Sequence, residues 1–169
     1  MQDPQYQLLP NPQQMMVTAL PSSLDFYHLG SVEVDERQPS TDPDRIRTDL
    51  LRLAPDLNAY GFAFHGDFRG ALIILFSRDL DRDTYAELGN ILASRLATSL
   101  TEQEGLGVSI SPPHLLGPSG KWIQTTIQPG THCAHRRYFH HTGKKLIPVE
   151  ILILGSMHNW MEEDSQTHV

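Results

Sequence analysis

The sequence predicts an α+β protein: a mostly antiparallel sheet of about six strands with two main helices on one face. Three observations predict this fold. Residues 83–101 form a long run with helical spacing of apolar residues, and residues 42–54 form a shorter one. Runs of alternating or continuous apolar residues, bounded by glycine and proline, surround both helices and are typical of strands and hairpins.

The run 83–101 is the longest predicted helix. At 100° per residue, one arc carries the apolar residues Tyr85, Leu88, Leu92, Leu96 and Leu100. A second arc, roughly opposite, carries Asp83, Glu87, Asn90, Ser94, Ala97 and Thr101. The first arc is expected to be buried and the second to face solvent. Gly89, Ala93, Ser94 and Ala97 add little bulk, so we expect another molecule's backbone to be able to approach this helix.

The other predicted elements follow from capping residues and turn residues. Asp42 and Pro43 begin the first helix as N-cap and first helical residue, and Pro55 ends it. Alternating or apolar runs predict strands at residues 27–34, 60–65, 70–76, 106–110, 121–128, 133–141 and 146–154. Pro148 places the last strand at an edge or a bulge. Residues 1–22 are a Gln/Pro-rich arm, 23–158 a single domain and 159–169 an acidic tail.

Composition excludes several functional classes. The chain has 169 residues and a net charge of −7, with no aromatic-rich basic cluster, which argues against nucleic acid and anionic membrane as partners. One cysteine precludes an internal disulfide. No apolar run is long enough to span a membrane, and the N-terminus lacks the features of a signal peptide. These absences predict a cytoplasmic protein; the oligomeric state stays open, a homodimer included.

The acid–amide pair on the long helix has a recognisable context. Asp83, Glu87 and Asn90 lie on the helix, and the following strand ends more than twenty residues after Asn90, at Pro112 and Pro113. This arrangement resembles the CheC/CheX family of bacterial chemotaxis phosphatases over about residues 60–154. The chain has one such motif, as in the CheX type, where the CheC type has two. It also passes from strand to helix between Ser77 and Asp83, where family members usually have another helix.

The resemblance implies a phosphatase acting on the aspartyl-phosphate of a CheY-like receiver domain. It implies that Asn90 orients the attacking water and that Glu87 pairs with a lysine of the receiver. Asp83 is expected to cap the helix or to contact the partner, together with Ser94, Ala97, Pro112 and Pro113. The chain would need no cofactor of its own, since the receiver would bring Mg²⁺.

Two other functional classes stay open. The Glu–Asn spacing is short and also fits a plain solvated helix face, so a non-catalytic module of the same fold, docking a receiver or a flagellar-switch protein, is the alternative. The third class is a metal or ligand sensor, because His132, Cys133, His135, His140 and His141 lie within ten residues. Arg136 and Arg137 interrupt that cluster and oppose a cation, so no metal site is predicted there.

Overall fold

The computed structural model describes residues 23–25, 31–34, 40–117, 119–143 and 145–155. The predicted arm at 1–22 and acidic tail at 159–169 lie outside the described residues, as does part of the predicted strand 27–34. The strands are β1 Ser23–Asp25, β2 Ser31–Val34, β3 Leu57–Gly66, β4 Gly70–Ser77, β5 Val108–Ile110, β6 His114–Leu115, β7 His132–Thr142 and β8 Lys145–Gly155. The helices are α1 Pro43–Leu53, α2 Arg82–Glu104 and α3 Ser119–Thr126.

The strands form one antiparallel sheet in the order β1-β2-β7-β8-β4-β3-β5, with β6 also paired to β3. The hairpins β3–β4 and β7–β8 supply its centre, and both were predicted. Gly143, with φ of 61°, takes the left-handed conformation in the turn of the second hairpin. The α+β fold class and the antiparallel sheet are therefore confirmed.

The long helix α2 is unbroken over 23 residues. Its apolar arc is buried as predicted, and Leu88, Leu92 and Leu96 are at most 3% exposed. Gly105, in the left-handed conformation, ends the helix and donates its N–H to carbonyls of the last turn. No helix within the described part of the chain is both long and apolar enough to cross a membrane.

The helices cover both faces of the sheet, so their predicted placement on one face is wrong. Alternate residues of β4 belong to two separate cores: Leu72 and Ile74 pack with α2, whereas Ile73 and Leu75 pack with α1 and α3. All of β4 from Gly70 to Phe76 is buried. Since β4 is apolar on both faces, exposure of either face to water would destabilise the protein. Helices therefore cover both faces.

The predicted strand at residues 121–128 is also wrong, because Ser119–Thr126 forms helix α3. Its buried residues are Ser119, Trp122, Ile123, Thr126 and, just beyond the helix, Ile127. Those positions have helical spacing. Ile123 and Ile127 satisfy both an alternating and a four-residue period, so the pattern alone could not distinguish the two structures.

Helix α2 lies unusually close to the sheet at Gly89. A Cβ atom added there would lie 2.6 Å from Cε2 of Phe62 and 2.9 Å from Cγ2 of Ile74. Both neighbours are fully buried and belong to β3 and β4. Because no side chain fits between the helix backbone and the sheet at this point, Gly89 sets the distance between them.

We predict that Gly89→Ala destabilises the protein although alanine favours a helix. The new methyl group forces Phe62 and Ile74 to move, a cost of about 1–3 kcal/mol for overpacking, against a gain of about 1 kcal/mol in helix propensity. Chemical denaturation measures the difference.

Gly120→Ala is the matched control, because a Cβ atom at this helical glycine would meet only the Ala54 side chain, at 4.0 Å. We expect that variant to be as stable as wild type or slightly more stable. A Gly89→Ala protein that equals or exceeds wild type in stability would show that the helix is not fixed at this distance.

Candidate functional site

The solvent face of α2 presents the predicted acid–amide stripe. Asp83, Glu87 and Asn90 are exposed, and Ser94 is partly exposed one turn further along. The predicted accessibility of Glu87 and Asn90 is confirmed. Since residues three and four apart on a helix are neighbours, the carboxylate of Glu87 and the amide of Asn90 belong to one patch.

Three of the small residues of α2, Gly89, Ala93 and Ala97, do not form part of that patch. Gly89 and Ala93 are buried toward the sheet, and Ala97 is only 8% exposed. A role for Ala97 in partner binding is therefore not supported by its position. The expectation that Gly89 opens this face to another backbone is wrong, because Gly89 faces Phe62 and Ile74 and instead lets the sheet approach the helix.

Helix α2 begins one residue earlier than the sequence predicts. The helix begins at Arg82 with Asp81 as its N-cap residue, and the Asp81 carboxylate accepts a hydrogen bond from Oγ1 of Thr84 at 2.7 Å. Asp83 is therefore in the first turn rather than at the cap. There its negative charge still interacts favourably with the helix dipole.

A shallow depression of about 380 Å³ extends along α2 from Asn90 toward its C-terminus. It is lined by Asn90, Ile91, Ser94, Arg95, Thr98, Ser99, Glu102 and Gln103. Its lining is mostly hydroxyl and amide groups with one charge of each sign. The sequence interpretation missed this extension beyond Ser94, because polar residues on an exposed helix face also fit simple solvation.

Pro112 and Pro113 lie on the sheet edge rather than on α2. They follow β5, which packs beside α2, and both are exposed. At the preceding residue, Oγ of Ser111 accepts the N–H of Ala63 at 2.9 Å, and the Ser111 N–H donates to the Ala63 carbonyl. The serine hydroxyl thus maintains the pairing with β3 where the prolines provide no donor.

A column of stacked aromatic rings, Tyr60, Phe76 and Tyr85, packs the first turns of α2 against the sheet. Tyr85 stacks on Phe76 with ring centroids 4.9 Å apart, and Phe76 stacks on Tyr60 at 5.9 Å. On its other side Tyr85 meets the edge of the buried His140, whose Nδ1 lies 3.0 Å from the tyrosine Oη. Burial, together with the Asp81 carboxylate, raises the pKa of Tyr85, so its hydroxyl keeps its proton.

The histidines of β7 are divided between the two faces of the sheet. Cys133 is buried in the core beneath α1, and burial, aided by Asp42, raises the pKa of its thiol to about 11. His140 lies on the opposite face, against Tyr85. His135 Nε2 is 2.6 Å from Oε2 of Glu150. Within the described residues, no three His, Cys, Asp or Glu side chains are placed to share a metal ion.

Glu150 is the centre of a buried charge network on β7 and β8. Its carboxylate is 3% exposed and accepts a hydrogen bond from Nε of Arg137 at 2.6 Å in addition to the contact with His135. Burial alone would raise the pKa of Glu150, but His135 and Arg137 outweigh it and hold that pKa below its ordinary value. Ionised Glu150 therefore stabilises the folded state relative to its protonated form.

The fold places the chain in a known structural class. It is similar to a chain of the CheX–CheY–BeF₃–Mg²⁺ complex from Borrelia burgdorferi, with a TM-score of 0.51 and 14% identity over 92% of this chain and 99% of that chain. It is also similar to FliY from Thermotoga maritima, with a TM-score of 0.52 and 12% identity over 86% of this chain and 83% of that chain. No protein-family model and no curated protein sequence matches the chain. The CheX-like fold that the sequence motif implied is thus confirmed.

We predict that the purified protein carries no stoichiometric first-row metal. The reason is the arrangement of side chains on β7, where the Cys133 thiol is buried and His135 and His140 lie on opposite faces of the sheet. Elemental analysis should be done on protein prepared without a histidine-affinity resin. About one zinc per chain, lost in His135→Ala, would contradict this prediction.

We also predict that Glu150 contributes to stability at neutral pH and loses that contribution in acid. Because its folded-state pKa lies below the ordinary 4.5, the contribution is complete above pH 4.5 and falls as pH drops toward the folded-state pKa. Glu150→Gln should lower the free energy of unfolding at pH 7 by about 1.5–3 kcal/mol. Urea denaturation at pH 7 and in acid should show the difference from wild type shrinking as pH falls.

Glu102→Gln provides the control for that measurement, because Glu102 is exposed on α2. We expect it to change stability by less than about 0.5 kcal/mol at either pH. A Glu150→Gln difference that stays constant from neutral to acid pH would contradict the assignment of the pKa shift to this carboxylate.

Proposed function

We propose that this protein is a phosphatase for the aspartyl-phosphate of a CheY-like receiver domain. One observation carries the proposal: Glu87 and Asn90 are both exposed, one turn apart, on a helix whose opposite face is buried in the sheet. A carboxylate and a neutral amide are thereby held in fixed relation on an exposed helix face. Such a surface suits insertion into the active site of another protein more than enclosure of a small molecule.

The chemistry requires little of the chain beyond positioning. An acyl phosphate has a good leaving group, so catalysis depends on placing a water molecule in line with phosphorus. The water oxygen forms the new P–O bond and the bond from phosphorus to the receiver's aspartate oxygen breaks. The aspartate leaves as a carboxylate, and both protons of the water end on the released phosphate. The carbonyl of Asn90 accepts a hydrogen bond from that water, and because the amide is neutral it does not repel the phosphoryl group.

Glu87 has a different role in this proposal. A carboxylate next to a phosphoryl group would be repelled, so it is better placed on a cation of the partner, such as a lysine beside the phosphorylated aspartate. The similar chain from Borrelia burgdorferi was crystallised with CheY, BeF₃ and Mg²⁺, which supports a receiver as the partner. We expect Mg²⁺ to arrive with the receiver. We also expect Asp83 and Ser94 to contact the receiver at the edge of the interface.

A non-catalytic docking module is the alternative function. It is favoured by the direct connection from β4 to α2, which runs through residues 78–81 without a further helix. Family members usually have a helix there, so the partner's pose on this chain can differ. In that case the acid–amide face would bind a receiver or a flagellar-switch protein without accelerating hydrolysis.

Substitution of Asn90 distinguishes the two functions. If Asn90 orients water only in the transition state, Asn90→Ala should lower the rate of receiver dephosphorylation by about 10²–10³-fold and leave receiver affinity nearly unchanged. Gln124→Ala is the matched control, since Gln124 is an exposed helical amide on the opposite face of the sheet. Equal acceleration by wild type and Asn90→Ala would contradict the proposed mechanism.

Substitution of Glu87 tests the partner contact. Glu87→Ala should weaken receiver binding, and Glu87→Lys should weaken it further because two positive charges then face each other. Asp49→Lys makes the same kind of charge reversal at a partly exposed residue of α1, on the opposite face of the sheet, and should have no effect on binding. Binding by wild type with no acceleration of hydrolysis would instead establish the docking module.

A further inference from the structure

In addition to its buried leucines, the helix that carries Glu87 and Asn90 makes close contacts with the sheet at two neighbouring points. Gly89 contacts Phe62 and Ile74 closely enough to exclude a Cβ atom. One turn earlier, Tyr85 is packed between Phe76 of β4 and His140 of β7. The contact at Gly89 is apolar and sets the height of the helix, whereas the contact at Tyr85 includes a directional hydrogen bond.

We propose that the hydrogen bond between Tyr85 and His140 positions Glu87 and Asn90 by fixing the rotation of α2 about its axis. Tyr85 and His140 are positioning residues in this proposal, because both are buried and neither reaches the exposed patch. The inference rests on the proposed function for the identity of the reaction. It goes beyond that function in assigning a role to two buried residues, Tyr85 on the sheet-facing side of α2 and His140 on β7.

The geometry explains why one contact matters this much. A helix with its side chains has a radius of about 5–6 Å, so a rotation of about 10° moves an exposed side chain by about 1 Å. A misplacement of that size can cost up to about 10²-fold in rate when catalysis depends on alignment. Packing against a flat ring resists such a rotation less than a hydrogen bond of 3.0 Å to a residue on a central strand.

The column also supplies its own control. Tyr60 also stacks on Phe76, so Tyr60→Phe and Tyr85→Phe each remove one hydroxyl from the same aromatic column. Only the Tyr85 hydroxyl lies within hydrogen-bond distance of a buried partner on β7. Both variants keep the ring packing, and we expect both to fold.

The first measurement is steady-state dephosphorylation of a phosphorylated receiver. We expect Tyr85→Phe to lower kcat about 5- to 20-fold while KM changes less than about 2-fold, and Tyr60→Phe to match wild type. A purely stabilising role would not produce this result, because the loss of one hydrogen bond leaves nearly all of a protein of ordinary stability folded. Equal kcat values for the two variants would overturn the proposal.

The second measurement is amide hydrogen exchange, which needs no activity. In Tyr85→Phe, exchange should accelerate at least about 5-fold in the first turns of α2, near Glu87 and Asn90, and stay unchanged near Leu100. Uniform acceleration along α2, or none, would overturn the proposal. If wild type fails to dephosphorylate any receiver, the proposed function fails, and local exchange together with receiver affinity still decides whether Tyr85 positions this face.

Substitution of His140 gives a test by rescue. The side-chain oxygen of asparagine can accept a hydrogen bond near the position of Nδ1, so His140→Asn should retain more of the wild-type kcat than His140→Leu. Since His140 is buried, the folded fraction of each variant should be measured first by denaturation. Two folded variants with the same kcat would show that the hydrogen bond is not what positions the helix.

Discussion

The packing of α2 on β3 and β4 is the constraint on which the rest of the structure depends. Gly89 brings the helix backbone against Phe62 and Ile74, and the leucines of the same arc fill the space on either side. Because this contact leaves no room for a methyl group, the helix has one height above the sheet. The opposite arc, with Glu87 and Asn90, is therefore presented to solvent in a defined orientation.

Both faces of the sheet are apolar and pack against helices. The central strand β4 is buried throughout, and its alternate residues belong to the core beneath α2 and to the core beneath α1 and α3. Between β7 and β8, the buried carboxylate of Glu150 is paired with both Arg137 and His135. A sheet packed against helices on both faces suits a protein whose proposed chemistry depends on alignment alone.

Sequence periodicity predicted the parts of the fold that one strong pattern governs. The leucine arc of α2, the capping residues of α1 and both hairpins were identifiable from local residues. It failed where two periods fit the same residues, as for Ile123 and Ile127 in α3, and where placement depends on tertiary contact, as for the face covered by α1. The exposed pair Glu87 and Asn90 was found because its spacing is local. The bond from Tyr85 to His140 joins residues 55 apart in sequence and has no local pattern.

The measurement that tests the central claim most directly is the decay of a phosphorylated receiver with a substoichiometric amount of the wild-type chain. Receivers encoded by the same organism should be labelled and compared in parallel. We predict that each molecule of this protein dephosphorylates many molecules of at least one of these receivers, with unphosphorylated receiver and inorganic phosphate as products. Unchanged decay of every receiver, even with the chain in excess, would contradict it.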